Sequence, residues 1–148
     1  MVWIFRHKLL MLAVTVGVAY WLLNPAGRFG IVRKGFVVYS RIPVLFFDCY
    51  IGPEGKLTIE EDLSLKSNQT YWFENHFSNS HNNGTDLIPL LVGTGFDDGE
   101  NVTFDRALLK KIRDRGFEPH FYPSREAIAR YDALRDEGKT TALLLKIK

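Results

Sequence analysis

From Leu87 to Lys146 the chain alternates strand and helix signals in the order β-loop-α-β-α-β, an order that few folds accommodate. Leu87–Val92 is an uninterrupted apolar run that leads into Gly93-Thr94-Gly95. Between Thr103 and Arg115, Phe104, Leu108, Leu109 and Ile112 recur at helical spacing. Thr103 is the expected N-cap of that helix, and Gly116 the residue just past its end. Glu118–Tyr122 is short and strand-like. A second amphipathic segment, Ser124–Glu137, aligns Ala127, Ile128, Tyr131 and Leu134, with Ser124 capping it and Gly138 ending it. Thr141–Lys146 is a final apolar strand. Helices this short do not stand alone in water, so their apolar faces must cover a sheet.

Upstream, Gly35–Ser40 and Val44–Ile51 are β-rich runs separated at Pro43. Gly52-Pro53-Glu54-Gly55 has the chemistry of a turn, and Lys56–Glu60 reads as the returning strand of a hairpin. The expected fold is α/β (α+β): one compact domain with a hairpin region before the β-loop-α-β-α-β unit. Asn68–Asp86 is polar and Asn-rich and matches no single element.

The N-terminal segment is of another kind. Leu9–Leu23 carries no charge and follows Arg6-His7-Lys8. A spanning helix needs about 20 apolar residues. Val2-Trp3-Ile4-Phe5 adds apolar length, and Tyr20 and Trp21 suit a membrane interface. A cleaved signal peptide is the rival reading, but Ala26 follows Asn24-Pro25, so no small-x-small cleavage pattern forms. The expected organisation is a single-pass membrane anchor at 1–24, a basic linker at 25–34 and the soluble domain at 35–148. Its side of the membrane stays open. Arg28, Arg33, Lys34 and Arg41 outnumber Arg6 and Lys8 and favour the cytoplasm, whereas ordinary signal-anchor behaviour translocates the domain. Sequons at Asn68, Asn83 and Asn101 matter only in a eukaryotic secretory context.

Composition excludes several classes of function. A formal net charge of +2, without blocks of one sign, gives no electrostatic footprint for nucleic acid. The single Cys49 rules out an intrachain disulfide or a multi-Cys zinc site. Gly93-Thr94-Gly95 between strand and helix invites a phosphate loop. The third Gly and the Lys-Ser/Thr of such loops are missing, and Asp97, Asp98 and Glu100 follow at once. His76 and His81 have no acidic or Cys partner at ligand spacing. Ser124, His120 and Asp132 form a hydrolase triad only on paper, since no G-x-S-x-G elbow exists. No cofactor and no metal is therefore expected. Arg130, Asp132, Arg135, Glu137 and Lys139 read as the solvated face of the second helix. Tyr71-Trp72-Phe73 with Phe77, set among Asn and Ser, form the candidate protein interface, with packing under the domain as the alternative.

Several of these segments together resemble a known family. Phe47-Asp48 through Gly55, Leu90–Gly95 with its Gly-Thr-Gly, and Arg115-Gly116-Phe117 fall in the family's order. Ser124, Ala127 and Tyr131-Asp132 stand where the family has Thr-x-x-Ala and an aromatic-Asn pair, and Glu137-Gly138-Lys139 with Thr141–Leu145 closes the pattern. The chain from Phe36 onward thus resembles the small α/β domain family that includes mitochondrial NADH dehydrogenase (complex I) assembly factor three and the adipogenesis-associated protein. Asp132 for Asn, Ser124 for Thr and the anchor-like N-terminus are departures from that pattern. The resemblance implies a non-catalytic domain that in some relatives helps assemble a membrane complex, and it marks Asp48, Gly93, Thr94, Gly95, Ser124, Ala127, Tyr131 and Asp132 as motif positions. The expected function is a membrane-anchored interaction or assembly module with a protein partner. The alternative is a small ligand-binding domain or enzyme using the loops near Gly93–Gly95 and Ser124, where open α/β sheets hold ligands.

Overall fold

The structure is a computed structural model and describes residues 2–60, 87–96 and 105–147. A long helix, α1 (Val2–Leu23), leads into strands β1 (Phe29–Arg33), β2 (Phe36–Tyr39), β3 (Ile42–Leu45), β4 (Asp48–Ile51) and β5 (Leu57–Glu60). Then follow β6 (Ile88–Gly93), α2 (Arg106–Asp114), β7 (Phe117–Tyr122), α3 (Ser124–Asp136) and β8 (Ala142–Leu145). The β-loop-α-β-α-β reading of the C-terminal part is met element by element. Gly116 and Gly138 lie past the two helix ends at φ +85° and +72°, where a side chain would be strained.

The strands form two sheets. β1-β2-β3 is an antiparallel meander, and the second sheet has the order β5-β4-β8-β6-β7. Within it β6 pairs parallel with β7 and with β8, while β4 runs antiparallel to β5 and β8. β8 is central and apolar throughout, and its side chains alternate between two cores. Leu143 and Leu145 join Cys49, Ile51, Leu91, Ala127, Ile128 and Tyr131 on one face. Ala142 and Leu144 join Leu90, Val92, Leu108, Ile112 and Phe117 on the other. α2 thus covers one face of the large sheet. α3 and the small sheet, through Phe29, Val37, Tyr39 and Val44, cover the opposite one.

Four sequence expectations are corrected. The basic linker contains β1, whose Phe29 is buried in the core and pairs with Tyr39. The run Val44–Ile51 is not one strand: it divides at Phe46-Phe47 between the two sheets, with Phe46 at φ +55°. Pro43 does not separate strands but lies within β3, an edge strand where the missing amide costs no ladder bond. The break falls at Ser40-Arg41, both at positive φ, as the two-residue hairpin between paired Tyr39 and Ile42 requires. Lastly, α2 is capped by Asp105, whose carboxylate accepts from the Ala107 amide at 3.0 Å; Thr103 lies outside the described residues. The Gly52–Gly55 turn forms as expected, with the Gly55 amide donating to the Gly52 carbonyl at 2.8 Å.

The expected transmembrane helix is not met in the form proposed: among the described residues no helix is long and apolar enough to cross a membrane. α1 itself is a regular helix of 22 residues. Its uncharged run Leu9–Leu23 measures about 22 Å at ~1.5 Å per residue, against a hydrocarbon core of ~30 Å.

Candidate functional site

The motif residues converge at the C-terminal end of β6, and they bind one another. The Ser124 hydroxyl donates to the Lys146 carbonyl at 2.9 Å and accepts from the Gly95 amide at 3.0 Å. The Ser124 amide donates to the Gly95 carbonyl at 2.9 Å, and the Lys146 amide to the Gly93 carbonyl at 3.1 Å. Thr94 donates twice to the Tyr122 carbonyl, from its amide at 3.0 Å and its hydroxyl at 3.3 Å. This knot joins the ends of β6, β7 and β8 to the start of α3. Ser124 is its centre rather than the N-cap expected of it: the cap position falls on Pro123, and Ser124 is the first helical residue.

Gly93 is required by the same closeness. A Cβ there would meet the Leu145 side chain at 2.6 Å, the Ser124 hydroxyl at 2.9 Å and the Ser124 Cα at 3.1 Å. Phosphate loops work by offering free backbone amides. Here the amides of Thr94 and Gly95 are already engaged by protein oxygens, so the loop is a structural lock.

The remaining motif positions also serve packing. Asp48 is fully buried, and its carboxylate accepts from the Ile147 amide at 3.1 Å, fastening the C-terminus to β4. Burial, aided by the neighbouring Asp48 charge, pushes the Cys49 thiol up to about 12, so it stays a neutral core side chain at physiological pH. Ala127 packs fully buried against the sheet. The Tyr131 and Tyr39 hydroxyls are 3.1 Å apart, and Tyr39 donates onward to the Gly55 carbonyl at 3.1 Å. Phe29 completes an aromatic trio with these two rings, edge-on to Tyr131 at 6.0 Å between centroids.

Asp132 and Arg135 do not form a solvated face. Asp132 accepts from the Phe29 amide at 3.4 Å, and Arg135 donates to the Pro53 carbonyl at 3.1 Å. Between them they tie α3 to β1 and to the β4–β5 turn. Partial burial raises the Asp132 carboxyl to about 6, against the opposing pull of the Phe29 amide and Arg28. Arg28 pairs instead with Asp136. Surface pairing of the expected i,i+4 kind joins Arg130 to Glu126, at 2.8 Å, while Lys139 pairs with Glu137, at 2.6 Å, just past the helix end.

The paper triad of Ser124, His120 and Asp132 does not assemble. Ser124, His120 and Asp132 each face a different partner; the imidazole of His120 lies 3.6 Å from Glu118 on the same strand. Among the described residues no group of His, Cys, Asp or Glu is placed to hold a metal ion. Nor does any buried side-chain polar atom among them lack a partner. Tyr71-Trp72-Phe73, Phe77, His76, His81, Asp97, Asp98 and Glu100 lie outside the described residues.

The surface feature that sequence reading underestimated is the junction of α1 with the small sheet. Asn24 is buried just after the helix; its side chain donates to the Tyr20 carbonyl at 2.8 Å and accepts from the Ile31 amide at 3.2 Å. The Tyr20 hydroxyl donates to the Arg41 carbonyl at 2.9 Å, and Arg41 Nε donates to the Asn24 carbonyl at 3.3 Å. The Arg41 guanidinium stacks 4.5 Å from the centre of the Trp21 ring. Above this collar α1 stands bare. Its Leu, Val and Met side chains from Leu9 to Leu23 are 52–68% exposed.

No family model and no curated protein matches this chain. Among solved structures it is similar to an outer membrane protein from Bartonella henselae, at 14% identity and a TM-score of 0.64, over 84% of this chain and 97% of that one. It is also similar to a Bordetella parapertussis protein, at 16% identity and a TM-score of 0.56, over 85% of this chain and 97% of that one. A Xanthomonas campestris protein solved by NMR matches at 15% identity and a TM-score of 0.56, over 80% of this chain and 83% of that one. At these identities what the chain shares with them is a fold.

Proposed function

We propose that this protein is a membrane-anchored, non-catalytic interaction domain, held at a bilayer by α1. The observation that carries the reading is the bare helix. A surface helix in water shows a polar face, and one that is apolar all round is covered by protein or lipid. Leu9–Leu23 has no charged residue, and Thr15 satisfies its hydroxyl within the helix by donating to the Met11 carbonyl at 2.8 Å. The domain's own core leaves this surface uncovered. The full 22-residue helix extends about 33 Å. Lys8 near one end and the Tyr20–Trp21 pair near the other suit a short, tilted or partly embedded anchor.

The domain's role is to bring a protein partner to that membrane, as the resemblance to the assembly-factor family suggests. In support, every motif residue described serves the fold, and none is left over for chemistry. Mild-detergent purification of the full chain from its native membranes, with co-purifying proteins identified by mass spectrometry, tests the role. The reading predicts a stoichiometric membrane partner. Recovery of the protein alone, also after chemical crosslinking in intact membranes, contradicts it.

A further inference from the structure

The small sheet has an outer face that points away from the core, and α1 ends on it. Val44 of β3 turns inward, so Pro43 and Leu45 turn outward by strand alternation. Phe29 likewise turns inward. The place of the missing Gly30 side chain points outward, where the Asn24 side chain and the Leu23 carbonyl fill it. The end of α1 therefore rests on this outer face. Leu45 on this face is 47% exposed, and Phe46 and Phe47 follow it past the end of β3, with Phe46 66% exposed although its ring edge overlies Gly35. Arg33 at the end of β1 and Arg41 in the β2–β3 turn belong to the same small sheet.

Resting on the anchoring proposed above, we infer that this outer face is a second membrane contact: Leu45, Phe46 and Phe47 enter the boundary between headgroups and acyl chains, and Arg33 and Arg41 meet anionic phospholipid headgroups. Continuity selects the occupant. The Tyr20–Arg41 bond and the Arg41–Trp21 stack place the β2–β3 turn within the last helical turn of α1. A bilayer that takes up Leu9–Leu23 must meet that turn next. Aromatic and aliphatic side chains ringed by basic ones are the composition of an interfacial contact. The face also explains two exposed phenylalanines in a connection that needs only to step from one sheet to the other.

The test uses the full chain with a fluorophore attached through Leu45→Cys, or through Arg113→Cys on α2 at the far side of the domain. The buried Cys49 thiol stays unlabelled in the folded protein. Each protein is reconstituted into phosphatidylcholine vesicles with or without phosphatidylglycerol, and quenching by brominated lipid and by aqueous iodide is compared. The inference predicts that brominated lipid quenches position 45 at least about threefold more than position 113, and that omitting phosphatidylglycerol weakens this difference. Flotation with vesicles while position 45 is as open to iodide as position 113 overturns the second contact and leaves the anchor standing. Shielding of position 45 from both quenchers assigns the face to a protein, such as a second copy of this chain, and overturns it too. Absence of flotation removes the anchor and this inference together.

Discussion

Gly93 and Ser124 approach so closely that a methyl group on the first would lie 2.9 Å from the hydroxyl of the second. The neighbour is partly backbone, so it cannot swing aside. Gly93→Ala is predicted to cost about 2–3 kcal/mol by overpacking, read as a lower denaturant midpoint. Ser124→Ala leaves the Gly95 amide and the Lys146 carbonyl without their partner, and should cost about 1–3 kcal/mol. If either variant kept wild-type stability, the loop would be free for a ligand after all.

Removing one hydroxyl from the buried tyrosine pair should have unequal effects. Tyr39 serves both the Tyr131 hydroxyl and the Gly55 carbonyl, whereas Tyr131 bonds only to Tyr39 among the contacts of its hydroxyl seen here. Tyr131→Phe is predicted to cost about 0.5–1 kcal/mol, and Tyr39→Phe about 1–2 kcal/mol. Chemical denaturation of both variants against wild type reads the order, and the reverse order would contradict the assigned donor chain.

The raised Asp132 carboxyl makes the domain sensitive to pH. An unfolded carboxyl of this kind titrates near 3.8 and the folded one at about 6, so between those values the folded state holds the extra proton. Stability therefore falls as pH rises through this window and the loss is complete above it. The shift corresponds to about 3 kcal/mol at face value, and to about 1 kcal/mol once the partial exposure of the carboxylate is discounted. Asp132→Asn keeps an acceptor for the Phe29 amide and removes the charge. It should be more stable than wild type at pH 7.5 by about 1 kcal/mol and equal to it near pH 4. Unfolding curves of the two proteins across that range check the sign.

The C-terminal unit was legible because its signals are local. Leu108 and Ile112 recur on one face of α2, and Gly116 and Gly138 mark helix ends by residue type alone. What escaped the reading depends on contacts distant in sequence. β1 is short, carries Gly30 within it and Arg33 at its end, and becomes a strand only through β2. The division of Val44–Ile51 rests on positive φ at Phe46, a conformation that phenylalanine does not advertise. Asp132 and Arg135 look like surface charges until Phe29 and Pro53 arrive from far along the chain. The site follows the same division. The motif positions were identifiable as a set, but only the structure shows that they bind each other. The collar of Tyr20, Asn24 and Arg41 carries no sequence signature at all.

Attachment to lipid through α1 is the claim on which the rest of the functional account stands. Flotation of cell lysates on a density gradient, with and without alkaline carbonate, measures it directly for the full chain and for a chain lacking residues 2–23. The account predicts that the full chain rises with the membranes and stays there after carbonate, while the shortened chain remains in the soluble load. A full chain that remains in the load, or that carbonate releases, would contradict it.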